Sequence, residues 1–541
     1  NLSEDQSERY KYLMKCAEIK LEKTGETASA LELLKEAANI KQDSRATLHL
    51  LLSAAVEAHE FGQAFDALVR ILNIEESGIK KAQYHFTSAM LARDNLNDEA
   101  LAVEHLEQAL LYNPDYEEAA AALEGIFQKN ADYSRLAEMY RRCYKNAQMK
   151  GETEKIRACL SKLTDLYHDK LGNIPQAAAY YEEMLALSPG DAGLMKTLCA
   201  IYERDPVYAD KALSLNTRMM QIDKNLPGHI RAIRRIFSDK GDTDAVWCAS
   251  GALAVLNEAD EQEREFFEKY RIPALKLKKA SFDEEMFNNQ IRSREDDLLV
   301  GEVFSLIYPH LGNVIPWKTP ADFGFTESNV LDLSKRSHFN DIVLAACKIL
   351  VLPAPRIFFS EDRAGFIKMP VYPAALAVGG DIVNEKRGKE LRFIVGRMLT
   401  TLFPLRILAW IADVRTLRAI FVASLKLVFP EFPVDPADAE VKHFAAVFRD
   451  KLPDETKKKM LDLLTKYRKE RKEINLLAWE NGVELTSDRV GFVLANDIEV
   501  SVKMIREEKV QLGALDAEQR IDDLIQYSVS ENYLRLRKII F

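Results

Sequence analysis

The sequence has few of the features that mark fibrous, disulfide-rich or membrane-spanning proteins. Among 541 residues there are only 22 glycines and 18 prolines, which excludes a collagen-like or low-complexity chain. The six cysteines are isolated and no two form a C-x-x-C pair, so neither a disulfide framework nor a zinc ribbon is expected. Buried, reduced thiols are the favoured interpretation, and they predict a cytoplasmic protein. The first residue is Asn, and we expect the chain to be a fragment or a processed form.

The chain also lacks an excess of positive charge. Its 84 acidic and 74 basic side chains give a formal net charge of -10, which disfavours a broad phosphate-binding surface. The nine histidines are scattered, no two lie four residues apart, and no glycine-rich loop has the spacing of a phosphate-binding motif. We therefore expect no nucleic-acid partner, no cofactor and no metal, and a small-molecule substrate is not favoured.

Long uninterrupted apolar runs are missing as well. The most apolar stretch runs from Met398 to Phe429, but Pro404, Arg406 and Asp413 interrupt it well before the ~20 apolar residues that span a bilayer. This stretch predicts two buried amphipathic helices. An interfacial membrane hairpin is the less favoured alternative, and it requires the apolar side chains of the stretch to be exposed.

What the first half does contain is a repeat. A small residue opens a helical pattern at Ala30, Ala64, Ala102, Ala137, Ala177, Ala212 and Ala245. The successive spacings are 34, 38, 35, 40, 35 and 33 residues, and the two longer ones predict small insertions near residues 94–97 and 167–172. Units of this period cannot bury their apolar faces alone, so they stack into a solenoid. We count about seven helical hairpins in residues 1–257.

Two of these units superpose when Pro114 is aligned with Pro189, at an offset of 75 residues. A small residue starts each helix, a large one follows four positions later, and proline stands just after the last turn. The segments resemble the second helix of the tetratricopeptide repeat, in which the small residue lets the paired helix approach closely. The resemblance implies a superhelix with a concave groove that takes peptides or partner helices. The alternative is that the second half of the chain fills this groove.

The repeat register fades after Asn257, and the pattern changes again near residue 300. Residues 258–300 are charged and helix-prone, and they predict a connector that caps the solenoid. The irregular stretch 308–325 is followed by a predicted helix over Phe339–Leu350 and by the strand-like runs RIFFS, GFIKMP and AALAVGG; the chain from Lys389 onward is helical by period. We therefore predict a mostly α protein, with a tetratricopeptide-like solenoid followed by an α+β domain over 301–541.

Part of this second domain resembles an enzyme family. The segment from Ala374 to Leu402 is similar to the strand and helix of the zinc metallopeptidases that include the prenyl-protein endopeptidases, whose helix reads E-L-x-x-V-x-x-H-E-x-x-H. Glu390, Leu391 and Ile394 match the start of that motif, but Arg397, Met398 and Thr401 stand at the first histidine, the catalytic glutamate and the second histidine. Zinc catalysis needs neutral ligands and a base, so the resemblance implies an inactive domain.

A second stretch supports the same resemblance. In WENGVELTSDRVGF, Glu484, Asp488 and Gly491 stand at the conserved places of the family's E-x-x-A-D-x-x-G motif, where the glutamate is the third zinc ligand. If the fold is retained, Arg397 faces Glu484 across the former metal site, and an ion pair replaces zinc as a structural tie. More than ~8 Å between the two residues would contradict this hypothesis. An unrelated helical domain is the other interpretation.

Together these patterns predict a non-catalytic interaction scaffold. The repeat groove recruits a protein partner, and the peptidase-like domain provides a second binding surface. Arrangements of this kind recur in large bacterial repeat proteins. The alternatives are a hydrolase with an unrecognised active site and a membrane-peripheral assembly factor. An enzyme predicts a polar pocket with converging titratable groups in the second domain, whereas a scaffold predicts an apolar groove or patch.

Overall fold

The computed structural model of the chain describes residues 4–223, 225–271, 281–312, 314–435, 437–470, 473–508 and 511–540. The chain divides into two compact units, residues 1–201 and residues 202–541. The predicted fold class, mostly α with a helical repeat array and a small sheet, is confirmed. The predicted domain boundaries near residues 257 and 300 stay predictions.

Helices follow one another in pairs through the first part of the chain. They are α1 (Glu4–Ile19), α2 (Thr27–Ile40), α3 (Arg45–Glu57), α4 (Phe61–Ile74), α5 (Gly78–Asp94), α6 (Glu99–Tyr112), α7 (Glu117–Lys129), α8 (Tyr133–Lys150), α9 (Thr153–Asp165), α10 (Ile174–Leu187), α11 (Ala192–Tyr202), α12 (Ala209–Met219), α13 (Leu226–Asp239) and α14 (Thr243–Val255). Each of the seven small residues of the repeat pattern lies in the second helix of its pair and is buried. Because an alanine at this position has almost no side chain, the neighbouring helix can pack directly against the backbone.

Polar caps and turns account for where these helices begin. The Asp98 and Asn173 side chains accept hydrogen bonds from the backbone N–H groups of Leu101 and Gln176, so that α6 and α10 start beside their small residues. The two longer repeat spacings reflect longer helices: α5 has 17 residues against 13 in α3 and α7, and α8 has 18 residues against 14 in α4 and α6. The predicted insertion near 167–172 falls on a π-helical turn over Leu166–Lys170, and the one near 94–97 falls at the end of α5 and in the turn after it. The small residues of the repeat stay buried on both sides of these insertions.

The second part of the chain is helical around one small sheet. Its helices are α15 (Glu261–Lys269), α16 (Glu284–Met286), α17 (Leu298–Ile307), α18 (His338–Leu350), α19 (Gly388–Thr400), α20 (Ile407–Ile411), α21 (Val414–Val428), α22 (Ala439–Lys451), α23 (Asp454–Glu470), α24 (Leu476–Ala495), α25 (Ile498–Glu507), α26 (Ala517–Ser528) and α27 (Glu531–Ile540). Strands β1 (Ile357–Ser360), β2 (Phe366–Ile367) and β3 (Leu376–Gly379) pair in the order β1-β3-β2, with β1 parallel and β2 antiparallel to β3. Each predicted strand-like run contains one of these strands.

The apolar stretch after Met398 is inside the protein. It forms α20 and α21, and Trp410 is only 1% exposed, with its ring stacked on Phe366 at a centroid distance of 4.6 Å. The interfacial hairpin required exposure of this tryptophan, so its burial contradicts that alternative. Within the described residues, no helix has both the length and the apolar character needed to cross a bilayer.

The last helix pair of the array shares one apolar core with the C-terminal helices. Residues 245–254 of α14 are all buried, and a Cβ atom at Gly251 would lie 2.6 Å from Phe267 and 3.1 Å from Ile498. Arg537 of α27 donates two hydrogen bonds of 2.6 Å to the carboxylate of Asp244. A terminal repeat would otherwise present an apolar face to water, and here α15, α25, α26 and α27 cover it.

Helices α19 and α24 cross at close range in the second unit. A Cβ at Gly396 would lie 2.9 Å from the Cα of Gly491, and a Cβ at Gly491 would lie 2.7 Å from the carbonyl oxygen of Phe393. No side chain other than hydrogen fits between the two backbones. Residues of α24 that lie one helical turn before or after Gly491 therefore pack against residues of α19 that are next to Gly396.

We predict that Gly491→Ala destabilises the second unit, because the added methyl must push a backbone away. Overpacking of this kind costs about 1–3 kcal/mol. All four tryptophans lie in residues 202–541, so urea unfolding followed by tryptophan fluorescence reports on this unit.

Gly125→Ala is the matched control, because Gly125 lies inside α7 with open space around its Cβ position. It should raise helix stability by up to about 1 kcal/mol in unfolding followed by circular dichroism. Equal stability of Gly491→Ala and the wild type would contradict the close crossing.

Candidate functional site

Helix α24 carries three buried carboxyl groups on one face. Glu480, Glu484 and Asp488 are spaced four residues apart and are at most 2% exposed. Side chains at this spacing lie above one another along a helix, so the three groups form a line through the protein interior. Buried carboxylates require cations or hydrogen-bond donors, which neighbouring segments supply to Glu484 and Asp488.

Arg397 of α19 meets this line of carboxyls. Its Nη2 atom lies 3.6 Å from Glu484 Oε1 and 3.0 Å from Glu508 Oε2, and its Nη1 atom donates a hydrogen bond to Asp488. Gly396 precedes Arg397, so the close crossing of α19 and α24 positions the guanidinium. The ion pair expected between Arg397 and Glu484 is therefore present.

A second cation completes this group, which we call the charge network: Arg397, Glu484, Asp488, Glu508 and Arg520. Arg520 of α26 donates to both oxygens of Asp488, at 2.8 and 2.9 Å, and to Glu508 at 2.7 Å. Glu484 also accepts hydrogen bonds from backbone N–H groups at residues 512 and 513. No pattern in the sequence marks Arg520 as buried, since one arginine in an amphipathic helix ordinarily faces solvent.

The charge network holds two guanidiniums and three carboxyls. Burial opposes ionisation of Asp488, but Arg397 and Arg520 outweigh it and lower the pKa of this carboxyl. Burial raises the pKa of Glu508. The attraction of Arg397 and Arg520 for this carboxylate opposes the rise.

The other two positions of the degenerate motif do not converge on a ligand site. Met398 lies in the apolar core, and the Thr401 hydroxyl donates to the backbone carbonyl of Met398 at 2.8 Å. The zinc that the peptidase resemblance implies does not fit these residues, because the Arg397 guanidinium occupies the space in front of Glu484. Within the described residues, no three histidine, cysteine, aspartate or glutamate side chains are grouped as metal ligands.

A small cavity adjoins the charge network. It has a volume of about 10 Å³ and lies between Arg397, Glu508, Thr401 and the ring of Trp410. The indole N–H of Trp410 is buried without a hydrogen-bond partner among the described residues. A volume of this size holds about one water molecule, so no substrate fits here.

The structure brings together one histidine pair that sequence spacing did not indicate. Nδ1 of His85 lies 3.0 Å from Nδ1 of His105, in the interface of α5 and α6. Burial lowers the pKa of both imidazoles, and that of His85 falls to about 4. His85 is therefore neutral at physiological pH, and the ring of His105 also packs edge-on against Phe65 at a centroid distance of 5.2 Å.

An open groove of about 950 Å³ lies in the second unit, and we call it the apolar groove. Buried side chains of Val422, Leu425 and Leu476 form its floor, and the more exposed Val414 and Leu477 form part of its rim. Its charged side chains lie at the exposed rim: Arg418, Asp435, Arg468 and Glu473. Arg418 and Arg468 each form an ion pair with a neighbouring carboxylate outside the groove.

No protein-family model matches the chain, and no curated protein matches it. Among solved structures, a tetratricopeptide repeat protein from Parabacteroides merdae covers 48% of this chain and 98% of its own, with 14% identity and a TM-score of 0.21. The C-terminal part of a TPR repeat-containing protein from Cytophaga hutchinsonii covers 48% and 100%, with 12% identity and a TM-score of 0.20. A structure of Naa15/Naa10 bound to HypK-THB covers 93% and 58%, with 12% identity and a TM-score of 0.25. At these TM-scores the similarities carry no argument about what this chain binds.

We predict that Arg397→Met strongly destabilises the second unit. The substitution leaves three buried carboxyls facing Arg520 alone, and removing one partner of a buried ion pair costs about 3–5 kcal/mol. Tryptophan fluorescence during urea unfolding measures the loss.

The double variant Arg397→Met/Glu508→Gln removes one carboxyl together with the cation, so it should recover part of this loss. Arg415→Met is the control, because that side chain is 80% exposed and its ion pair with Glu440 lies at the surface. If Arg397→Met lowers the free energy of unfolding no more than Arg415→Met does, Arg397 does not stabilise the buried carboxyls.

We also predict a pH effect from Glu480. Burial raises the pKa of its carboxyl to about 7, while Lys368 opposes this shift and Asp413 and Glu484 add to it. The folded chain thus keeps a proton that the unfolded chain releases near the ordinary pKa of 4.5. The stabilisation of the folded chain by this retained proton is fully present below pH 4.5 and is lost as the pH rises through 7. Glu480→Gln should therefore be more stable than the wild type at pH about 8, and this advantage should shrink towards pH about 5.

Urea unfolding at both pH values measures the difference in stability between Glu480→Gln and the wild type. Glu473→Gln, at an exposed position, is the control. A difference that does not change with pH would contradict the raised pKa of Glu480.

Proposed function

We propose that this protein is a non-catalytic scaffold for protein–protein interactions. One observation carries the proposal: in the second unit, the titratable groups of the charge network are buried and paired with one another, whereas the floor of the open apolar groove is formed by aliphatic side chains. An enzyme needs its titratable groups in the open site, where they reach a substrate. The apolar groove instead offers the kind of surface that packs against an apolar helix or peptide.

The repeat array supports the same proposal from a different part of the chain. Helix pairs of this kind present extended surfaces to other proteins. The net charges of both units disfavour nucleic acid as the partner, because phosphate backbones are bound through basic surfaces. We propose that the helix pairs recruit one protein and that the apolar groove of the second unit contacts a protein as well.

We further propose that the second unit is an inactive relative of the zinc metallopeptidases. The contact of Arg397 with Glu484 supports this, because it joins the two positions that the sequence resemblance assigned to metal ligands. A permanently charged guanidinium cannot bind a metal ion or act as a base. In this proposal, the ion pair has taken the structural place of zinc.

The proposal is tested by photo-crosslinking in the cells that make the protein. A benzophenone amino acid replaces Leu477 at the rim of the apolar groove, and the matched control carries it at Leu344 of α18. The two leucines are 43% and 40% exposed, so both probes reach solvent equally. We expect a discrete cross-linked protein from position 477, identified by mass spectrometry, and none from position 344. Val414→Asp, which places a charge at the rim of the apolar groove, should abolish the adduct.

Two results would overturn the scaffold proposal. One is the same diffuse labelling from both positions, which would show that the apolar groove has no specific protein partner. The other is a small molecule that stays bound in native mass spectrometry and is lost on Val414→Asp, which would favour the hydrolase alternative.

A further inference from the structure

The negative charge of the protein is concentrated in its first unit. Residues 1–201 contain 32 acidic and 23 basic side chains, whereas residues 202–541 contain 52 and 51. The first unit therefore carries nine of the ten net negative charges of the chain. Such an excess attracts basic partners, speeds their association and repels polyanions.

An exposed apolar patch lies within this acidic unit, where α6 ends beside the start of α5. We call it the edge patch: Ile79, Leu111 and Tyr112, which are 66%, 69% and 41% exposed. The two helix ends are in contact, because a Cβ at Gly78 would lie 3.9 Å from the Tyr112 carbonyl oxygen and the Lys81 ammonium lies 5.4 Å from the Tyr112 ring. Leucine and isoleucine exposed to this degree on adjacent helix ends leave an apolar surface in water.

Carboxylates in the chain segments next to the edge patch are left without cations. Glu76 precedes α5, and Glu117 and Glu118 begin α7 just after the patch; none of the three forms an ion pair within the described residues. Neighbouring acids differ, since Glu75 pairs with Arg45 at 2.9 Å and Asp115 pairs with Lys150. Segments 75–79 and 111–118 hold five carboxylates and no lysine or arginine, and Lys80 and Lys81 follow directly after Ile79. The chain next to the edge patch is therefore more acidic than basic, which is the complement of a helix with an apolar stripe and basic flanks.

We propose that the edge patch docks a basic amphipathic segment of a protein partner. Apolar side chains of that segment cover Ile79 and Leu111, and its lysines or arginines approach Glu76, Glu117 and Glu118. This inference rests on the proposed scaffold function and names the chemistry of the partner that the first unit binds. Anionic membranes and nucleic acids do not fit, because both repel a unit with this charge.

The test uses two synthetic helical peptides of equal length and equal apolar content, one built from Leu and Lys and the other from Leu and Glu. Fluorescence anisotropy measures their binding to the whole chain. We expect the Leu–Lys peptide to bind and its affinity to fall as salt is added, while the Leu–Glu peptide does not bind. Ile79→Ser/Leu111→Ser should weaken binding about tenfold or more, consistent with loss of a central apolar contact. Glu117→Gln/Glu118→Gln should reduce the salt dependence.

Val207→Ser is the matched control, because Val207 is 83% exposed but lies in the second unit. This substitution should leave the affinity for the Leu–Lys peptide unchanged. If Ile79→Ser/Leu111→Ser and this control bind the Leu–Lys peptide with equal affinity, the proposal is overturned. The peptide would then be attracted by the overall negative charge and not by the edge patch. If Val414→Asp weakens peptide binding instead, the peptide binds in the apolar groove. That result overturns the edge-patch proposal and is consistent with the scaffold function. A lower mass of Ile79→Ser/Leu111→Ser in sedimentation would show that the patch joins two copies of the chain, which also overturns the proposal.

Discussion

The closeness of α19 and α24 determines the arrangement of the second unit. At their crossing a glycine on each helix lets the backbones touch, with 2.9 Å between the Gly491 Cα and a Cβ built at Gly396. This contact brings Arg397 within reach of Glu484 and Asp488, and α26 then adds Arg520 from the other side. If a side chain separated the helices, the guanidinium would no longer reach carboxylates that are buried from water. Packing and charge neutralisation are therefore two effects of one steric constraint.

The repeat array was accessible from sequence because its signal is periodic. The small residues recur at nearly constant intervals, and the same local rule, a buried alanine near the start of a second helix, applies each time. The strands and the helix at 338–350 were also accessible, since each is a short run of one pattern between turn residues. Local order of this kind is encoded in neighbouring residues, so a single sequence suffices to predict it.

Contacts between segments that are distant in the chain could be predicted from the sequence only where a family resemblance aligned the two segments. The resemblance placed Arg397 opposite Glu484, but it said nothing of Arg520 or Glu508, which complete the charge network. Likewise, the histidines at 85 and 105 show no helical spacing and meet only because α5 and α6 pack side by side. The apolar groove has no sequence signature at all, because its walls come from α21, α23, α24 and the turns between them. A surface assembled from several segments is a property of the tertiary structure.

The charge network has a consequence for how the chain can change over evolutionary time. Replacing Arg397 by a neutral residue would remove one of two cations from a site with three carboxyls. The intermediate would hold buried, uncompensated negative charge, and such states are among the most destabilising that single substitutions produce. Substitutions at the charged positions of α19, α24 and α26 are therefore interdependent, because each one changes the charge that the others must balance. A buried charge network of this kind restricts the order in which its residues can be replaced.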